Sequence, residues 1–414
     1  MSLRAPPLLS PALERAAAAR LRWSPKEMDD AVAQRLAARL ALARRVAGYG
    51  GGADALADWP VLEREQLGAG DPGRWADPRI PRALLRSAST SGRSGRPLTV
   101  LRDPSNVVLE EVFVRRQLRA FGWTPDWPAI VIRSDGPRDP AGPVFEADPT
   151  RRRTVRVAAS RLDDRAARAL VAHGAAAGVQ LLAGYPSALL ELARRIESLE
   201  LSLDGWPLRV IQVSSEALTE AAEARLRAVF GVPVADHYGQ TERALAIQSC
   251  PHGARHLVRD YGVGELIDGA WVGTPLFGRS PVLVRYATGD LAGPAPSGAR
   301  IDPPGCPCGW PFPRVGRVAG RSDDVVVTTD GRRIGRIGPA FGGIPGLAQV
   351  QIEQAAVGSL LVRALGTDPA IAALPAALQA LLLDPETTIE LRQEAPVLEA
   401  NGRIRVVRSR LQLE

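Results

Sequence analysis

The chain has 414 residues, of which 45% are hydrophobic and 23% are charged, a composition typical of a folded protein with two or more domains. The formal net charge is +7, but all the basic residues except Lys26 are arginines interleaved with acids, so the charge does not indicate a nucleic-acid partner. No apolar run reaches the length of about 18 residues needed to cross a bilayer, the N-terminus lacks a signal-peptide pattern, and the three cysteines are too few for a disulfide framework. We therefore expect a cytoplasmic protein with no membrane partner.

The predicted elements alternate between helices and strands through the first half of the chain. Apolar spacing predicts helices over 8–22 and 26–47, and the glycines from Gly48 onward end the second helix. The strands that follow are predicted at 83–88, 129–134, 155–160, 179–184, 210–215 and 232–239, and the helices at 104–120, 161–177, 186–197 and 218–229. This order predicts an α/β fold with a mainly parallel sheet covered by helices, whose ligands lie at the carboxyl ends of the strands.

The pattern changes after residue 262 to shorter strands separated by Gly and Pro turns, which predicts a β-rich subdomain. The segment from Val325 to the C-terminus contains strands and one Ala/Leu-rich helix at about 370–384, which predicts a small α+β domain. We therefore expect a large N-terminal domain over 1–322 and a C-terminal domain over 323–414.

A loop of small polar residues, Ser89–Pro97, is predicted between a strand and a helix. Its glycines let backbone N–H groups approach an anion, and its hydroxyls can donate to phosphate oxygens. The spacing is not that of a Walker A loop, and alone such a loop is more often an ordinary polar turn. The residues that would approach a phosphate are Thr90, Ser91, Gly92, Ser94 and Gly95.

Three further motifs follow this loop in a fixed order: Y-G-Q-T-E at 238–242, Y-A-T-G-D at 286–290 and G-R-S-D-D at 320–324. Together with the loop they resemble the adenylate-forming superfamily of acyl- and aryl-CoA synthetases. Shorter matches resemble the phenylacetate–CoA ligase branch and its capsular-biosynthesis relatives, the CapK proteins: G-Y-P-S at 184–187, Ser215-Glu216, W-V-G-T-P-L at 271–276 and C-P-C-G at 306–309. The resemblance extends from about residue 60 to the C-terminus.

The resemblance implies a ligase that uses ATP and Mg²⁺ to convert a carboxylic acid, often an aromatic one in this branch, into acyl-AMP. A thiol then displaces AMP and leaves a thioester. The thiol is either coenzyme A or the phosphopantetheine arm of an acyl carrier protein, and the sequence leaves both open. The small carboxylic acid is the expected partner, and the chain is expected to be a monomer or a homodimer.

The resemblance assigns nucleotide and metal roles to several residues. The hydroxyl of Thr241 suits the α-phosphate, and Glu242 suits Mg²⁺, which prefers carboxylate and phosphate oxygens. The two carboxylate oxygens of Asp290 can accept both ribose hydroxyls. The resemblance places Tyr238 and Gly239 in the same nucleotide site, together with Arg321 as a further cation for ribose or phosphate.

For several other residues, the sequence is compatible with two different roles. Ser215 and Glu216 match the loop that flanks adenine, or they cap the helix predicted at 218–229. Asp323, or less readily Asp324, matches the hinge about which the C-terminal domain of the superfamily rotates, with a simple turn as the alternative. His237 and Tyr185 border the expected acyl pocket, although a packing role is the favoured interpretation of His237.

The C-terminal segment departs from the family in one position. Adenylate-forming enzymes usually carry a lysine there, in a G-K motif that bridges the acyl carboxylate and the α-phosphate. Here the matching stretch places Arg403 after Gly402, and Lys26 lies far away in the sequence. Because arginine is a planar fork and lysine a compact point charge, we expect Arg403 to take the bridging role with altered geometry. A solvated arginine on a basic tail is the alternative.

The cysteines lie close together in the sequence. Cys250, Cys306 and Cys308 fall within 250–308, together with His252 and His256. This set can supply the four tetrahedral ligands of a closed, structural zinc site, and zinc is known in part of the resembled branch. We prefer His256 to His252 because Arg255–Leu257 is predicted to be a short strand. Free thiols and a surface histidine are the alternative.

Two other functions are alternatives to this one. An adenylation-deficient homologue would keep the fold and have a regulatory role. A zinc-stabilised basic protein that binds nucleic acid would use the positive charge for phosphates, but it would leave the nucleotide motifs unexplained.

Overall fold

The computed structural model describes the larger part of the chain: residues 11–89, 98–133, 136–137, 139, 141–321, 326–334, 337, 341, 344–398, 404–409 and 411, with the backbone alone at Arg321 and Arg333. Among these residues, no helix combines the length and the apolar character required to pass through a membrane.

The helices and strands follow the predicted alternation. The helices are α1 (Pro11–Ala19), α2 (Pro25–Ala43), α3 (Arg64–Gly68), α4 (Pro104–Ala120), α5 (Asp164–Ala176), α6 (Pro186–Ser198), α7 (Glu220–Phe230) and α8 (Asp368–Leu382). The strands are β1 (Arg86–Ser89), β2 (Thr99–Arg102), β3 (Ala129–Arg133), β4 (Glu146–Ala147), β5 (Thr154–Ala158), β6 (Leu181–Gly184), β7 (Val210–Ser214), β8 (Val234–Gly239), β9 (Ala246–Ser249), β10 (Arg255–Leu257), β11 (Gly262–Ile267), β12 (Ala270–Pro275), β13 (Tyr286–Ala292), β14 (Ile301–Asp302), β15 (Arg314–Val315), β16 (Val318–Arg321), β17 (Val326–Val327), β18 (Arg333–Ile334), β19 (Leu347–Ala356), β20 (Ser359–Gly366), β21 (Thr388–Arg392) and β22 (Val407–Ser409).

The chain divides into two compact units, each assembled from two stretches of sequence. The first unit comprises 1–124 and 237–316, and the second comprises 125–236 and 317–414. This division differs from the predicted domains 1–322 and 323–414. The predicted boundary falls among residues 322–325, outside the described residues, so those domains stay a prediction.

The first unit is rich in antiparallel strands. The end of β8 pairs with β9, β9 with β10, and β10 with β15, all antiparallel. A second sheet is formed by β11, β12 and β13, also antiparallel. Aromatic residues fill the core beside α2 and α4, with Phe113, Tyr261 and Phe312 buried. The β-rich region predicted after residue 262 is therefore present.

The second unit contains the predicted parallel sheet. Its strands lie in the order β7-β6-β3-β5-β4, and β7, β6, β3 and β5 are mutually parallel. Ile130, Ile132, Leu182 and Val213 are completely buried, because helices cover a parallel sheet on both faces. The carboxyl ends of β3, β6 and β7 therefore form one edge, where residues 133, 185 and 215 meet.

The C-terminal part of the second unit is a smaller α+β arrangement. Its sheet has the order β21-β20-β19-β22, in which β19 and β20 are antiparallel and the outer pairs are parallel. Leu374 and Leu378 of α8 pack in the same buried cluster as Ile352 and Val362 of the sheet. The helix predicted at about 370–384 and the strands around it are confirmed.

Local signals explain the helix boundaries. Asp103 accepts hydrogen bonds from the backbone N–H groups of Ser105 and Asn106, which caps α4 immediately before Pro104. Gly231 ends α7 in the left-handed conformation, with φ of 67°, as its position after the helix predicts. The first predicted helix is shorter than expected, because α1 ends at Ala19 and continues as a single 3₁₀ turn.

One local element is absent from the sequence prediction. β1 and β2 pair as an antiparallel hairpin on either side of the polar loop, with Ser89 opposite Thr99. The β-branched residues Thr99 and Val100 favour a strand here, and α4 begins only after Asp103. A helix N-terminus therefore does not follow the loop directly.

Candidate active site

Two of the predicted motifs meet in the first unit and are joined by crossed hydrogen bonds. The first residue of Y-G-Q-T-E donates to the last of Y-A-T-G-D: the Tyr238 hydroxyl lies 2.7 Å from Asp290 Oδ2. In return, the Tyr286 hydroxyl donates to Glu242 Oε1 at 2.8 Å. Each tyrosine thus orients the carboxylate of the other motif. Burial, followed by the negative charge of Asp290, raises the pKa of Tyr238 well above its usual range, so the phenol remains a donor.

Glu242 is also paired with a cation. Arg64, at the start of α3, places Nη1 3.3 Å from Glu242 Oε1, and the glutamate side chain is buried. The carboxylate is therefore held in one orientation by Arg64 and Tyr286. A carboxylate fixed in this way has the chemistry that Mg²⁺ selects, although its binding would have to compete with the charge of Arg64.

Two arginines, Arg102 and Arg243, fix the backbone around Thr241 and Glu242. Arg102, at the end of β2, donates to the carbonyl oxygen of Thr241 through both Nε, at 3.1 Å, and Nη2. Arg243 adopts a left-handed φ of 57° and its Nη1 donates to Asn106 Oδ1 at 2.6 Å. Such a conformation costs free energy in a non-glycine residue, so the surrounding contacts must impose it. The Thr241-Glu242 peptide is consequently fixed on both sides.

A buried glutamate of α4 supports this arrangement. Glu110 accepts a hydrogen bond from the Tyr261 hydroxyl, and Arg243 Nε lies 3.7 Å from its Oε2. Burial alone would raise the pKa of Glu110, but Arg243, His237 and Tyr261 outweigh burial and lower the pKa to about 2. Glu110 is therefore a carboxylate that compensates the buried arginine beside the Y-G-Q-T-E motif.

His237 belongs to the same network. Its Nε2 lies 3.6 Å from Glu110 Oε1, and its Nδ1 lies 3.1 Å from Gln248 Nε2. The ring is buried, as the packing alternative requires. Its assignment to the acyl pocket stays a prediction.

The second unit places several predicted residues at the carboxyl edge of its parallel sheet. Arg133, at the end of β3, stacks over the Tyr185 ring at 5.3 Å and donates from Nη2 to Ser214 Oγ at 2.8 Å. Ser215, directly after β7, has a left-handed φ of 76°. Strained residues of this kind cluster at ligand sites, which fits the predicted role of the loop after β7.

The alternative role of Ser215 and Glu216 as helix caps is wrong. Thr219 caps α7, because its side chain accepts the N–H of Ala222 at 3.0 Å. The Glu216 carboxylate instead accepts from Ser187 N–H and from the Ser187 hydroxyl, both at 3.0 Å. The role of Ser215 and Glu216 beside adenine stays a prediction.

Several predicted residues lie outside the described part of the chain. These are Asp323, Arg403 and the residues of the polar loop, Thr90, Ser91, Gly92, Ser94 and Gly95. For Arg321 only the backbone is described, as the last residue of β16. Their roles stay predictions.

The predicted metal ligands converge in the first unit. Ligand atoms of Cys250, His256, Cys306 and Cys308 all lie within 4.8 Å of one another. Cys250 Sγ is 3.7 Å from Cys306 Sγ, and Cys308 Sγ is 3.4 Å from His256 Nε2. A zinc tetrahedron with ordinary bond lengths has S···S edges of about 3.8 Å and S···N edges of about 3.5 Å. The cluster therefore fits zinc, and it contains His256 rather than His252.

The surroundings of the cluster also suit a cation. His256 Nδ1 lies 3.2 Å from the carbonyl oxygen of Phe312, which directs Nε2 toward the sulfurs. Burial raises the pKa of Cys250, raises that of Cys308 to about 12 and lowers that of His256 to about 4. Without a cation the thiols of Cys250 and Cys308 keep their protons, and a bound metal would displace them.

No protein-family model matches the chain, and neither does any curated protein. Solved structures do match. A 2-hydroxyisobutyryl-CoA ligase in the post-adenylation state with R3-HIB-AMP has a TM-score of 0.65 at 18% identity, covering 94% of this chain and 91% of that chain. The same ligase in an open conformation with 2-HIB-AMP and CoA has a TM-score of 0.59 at 17% identity, covering 94% and 93%. The chain has the fold of the adenylate-forming ligases. The phenylacetate–CoA ligase branch within that superfamily stays a prediction.

Within the adenylate-forming fold, sequence reasoning missed the residues that hold the motifs in place: Arg64, Arg102, Glu110 and Arg133. The arginines carry no signal in a chain so rich in this residue. Glu110 carries one, because Asn106, Glu110 and Gln117 are buried polar residues spaced along one side of α4. A polar stripe on a buried helical face indicates a network of internal partners.

Proposed function

We propose that this adenylate-forming fold activates a carboxylic acid with ATP as acyl-AMP and then transfers the acyl group to a thiol. The crossed bonds between the two motifs carry the proposal. They bring the expected ribose ligand Asp290 and the expected Mg²⁺ ligand Glu242 into one site from distant parts of the sequence. The fold shared with 2-hydroxyisobutyryl-CoA ligase adds support.

In the first step, a carboxylate oxygen of the acid attacks the α-phosphorus of ATP. The bond from that phosphorus to the bridging oxygen breaks, and pyrophosphate leaves. The protein's contribution is positioning and neutralisation of charge. Asp290 would accept the ribose hydroxyls, and the Thr241 hydroxyl would donate to the α-phosphate. Mg²⁺ bound at Glu242 would supply positive charge to the phosphates.

In the second step, a thiolate attacks the acyl carbon, and the bond from that carbon to the oxygen of AMP breaks. The products are a thioester and AMP, and AMP leaves with one of the two carboxyl oxygens of the acid. Coenzyme A or a phosphopantetheine arm would supply the thiol. An aromatic acid is proposed on the resemblance to the phenylacetate–CoA ligase branch.

Arg403 would bridge the acyl carboxylate and the α-phosphate in the first step, in place of the usual lysine, and Asp323 would be the hinge between the steps. Arg403→Ala and Arg403→Lys should be compared first in single-turnover acyl-AMP formation and then in thioester formation from supplied acyl-AMP. A large loss for alanine in the first assay alone supports the role. Equal adenylation rates in Arg403→Ala and the wild type would contradict it.

The cysteine cluster would hold a structural zinc ion. All four tetrahedral positions would be filled by protein ligands, which excludes a bound water or substrate at the metal. Zinc there would link the turn after β9 to the turn before β15, so its loss would weaken the first unit rather than remove a reacting group.

ATP–pyrophosphate exchange across a panel of aromatic and aliphatic acids tests the proposed function. Exchange that depends on one acid identifies the reaction and its substrate together. Absence of exchange with every acid would favour an adenylation-deficient homologue. Salt-dependent DNA binding without exchange would favour the nucleic-acid alternative.

A further inference from the structure

The carboxylate of Glu216 joins two distant stretches of the second unit. Its Oε2 accepts the backbone N–H of Ser187, and its Oε1 accepts the Ser187 hydroxyl, both at 3.0 Å. The same Oε1 also accepts the backbone N–H of Ile404 at 2.9 Å. Three donors thus converge on one carboxylate, and hydrogen bonds to a charged acceptor are the stronger kind.

The C-terminal side of this contact is itself braced. Gln351 of β19 donates to the carbonyl oxygens of Val397 and Arg405, both at 3.0 Å, and accepts the N–H of Val397 at 2.8 Å. Leu398 and Ile404 pair as an isolated antiparallel bridge. Ile404 is therefore fixed by its neighbours, and a hydrogen bond to its N–H restrains the segment 404–409.

A second contact acts at the same point of α6. Gln349 of β19 donates from Nε2 to the carbonyl oxygen of Ser187 at 3.3 Å. The start of α6 is consequently tied to β19 through Gln349 and to Ile404 through Glu216. Both ties converge on Ser187, which is buried.

We propose that Glu216 is a positioning residue that holds the segment 404–409 against the start of α6, rather than a contact for adenine. Ile404 directly follows Arg403 in the sequence, so this role rests on the proposed function, in which Arg403 serves the adenylation step. Loss of the Glu216 carboxylate should slow acyl-AMP formation and leave the KM for ATP unchanged. Thioester formation from supplied acyl-AMP should be spared.

Limited trypsin cleavage after Arg405 and Arg408 measures the restraint without any activity. Cleavage of a native protein follows the population of the locally open state, and losing a hydrogen bond to a charged group should raise that population about tenfold or more. We expect Glu216→Ala to be cleaved correspondingly faster at these bonds. Glu220→Gln, at an exposed position four residues away, removes the same charge and should match the wild type.

Two further variants distinguish loss of this contact from general misfolding of the protein. Glu216→Gln keeps the side-chain shape but turns one acceptor into a donor, so it should show the same direction of change. Ile404→Pro removes the N–H donor and leaves Glu216 intact, and it should reproduce the faster cleavage after Arg405 and Arg408. Thermal unfolding of each variant close to that of the wild type would show that the change is local.

Unchanged cleavage in both Glu216→Ala and Ile404→Pro would overturn the proposal, whatever the enzyme's activity. A raised KM for ATP with unchanged cleavage would make Glu216 a nucleotide contact and would overturn it as well. If the wild type exchanges pyrophosphate with no acid, the proposed function fails, and the cleavage rates still decide the role of Glu216.

Discussion

The cysteine cluster and the crossed-motif site, which is formed by the Y-G-Q-T-E and Y-A-T-G-D motifs, lie in the same unit. They differ in how their charges are balanced. The cluster brings together sulfur and imidazole ligands, and burial keeps Cys250, Cys308 and His256 neutral, so an added cation is needed to make it a charged centre. In the crossed-motif site, the buried carboxylates of Glu110 and Glu242 already have arginines beside them. Removing the metal should therefore affect folding, whereas removing a motif carboxylate should affect the reaction.

Loss of the metal should give the largest effect. We expect about one zinc per chain in the purified protein, and Cys306→Ser should lower the free energy of unfolding by several kcal/mol, because zinc binding contributes directly to folding. Metal analysis and chemical denaturation measure the two quantities. Purified protein without metal, together with a Cys306→Ser variant as stable as the wild type, would contradict the cluster's role.

Glu242→Gln should give the next largest effect, on the reaction alone. The amide keeps an oxygen that can accept from Tyr286 and Arg64, but it loses the charge that attracts Mg²⁺. We expect kcat/KM for ATP to fall by about two to three orders of magnitude with little change in thermal stability. Acid-dependent pyrophosphate exchange measures the loss, and Glu65→Gln, at an exposed position of α3, is the control.

Glu110→Gln should lower the stability of the first unit, as loss of the metal does, but it acts on the network that supports the Y-G-Q-T-E motif. Leaving Arg243 without its buried counter-charge should cost about 3 kcal/mol at neutral pH. The pKa of Glu110 is lowered to about 2 from its usual 4.5, so its stabilisation is complete above pH 4.5 and is lost as the pH falls toward 2. Urea unfolding at pH 7 and at lower pH measures this.

The difference between wild type and Glu110→Gln should therefore shrink below pH 4.5, while Glu65→Gln stays close to the wild type throughout. A difference that is independent of pH would show that the effect comes from packing rather than from charge.

Tyr238→Phe should give the smallest effect. It removes the hydroxyl that orients Asp290 and leaves the ring, so we expect a loss of about 1 kcal/mol, seen as a several-fold higher KM for ATP. Tyr49→Phe removes a hydroxyl bonded to the backbone elsewhere in the same unit and should leave KM unchanged. An unchanged KM in Tyr238→Phe would show that the Tyr238–Asp290 bond does not serve nucleotide binding.

The two regions also differ in how far the sequence predicted them. Cysteines are rare in this chain, so their spacing identified the cluster, and the short strand β10 correctly favoured His256. The parallel sheet was likewise predictable from its unbroken apolar strands. Arg64 and Arg102 were not, since their roles depend on tertiary contacts between residues far apart in the sequence. The hairpin of β1 and β2 was missed because β2 offers only three β-branched or apolar residues, Thr99 to Leu101, which is too short a pattern beside a glycine-rich loop.

The fate of the acid's carboxyl oxygen tests the central claim most directly. The substrate carries a heavy oxygen isotope at both carboxyl oxygens. Attack on the α-phosphorus must then transfer one labelled oxygen to AMP, and the thioester must keep the other. We predict labelled AMP and unlabelled pyrophosphate in the wild type, measured by mass spectrometry. Label in inorganic phosphate, or AMP without label during thioester formation, would contradict activation of the acid as acyl-AMP.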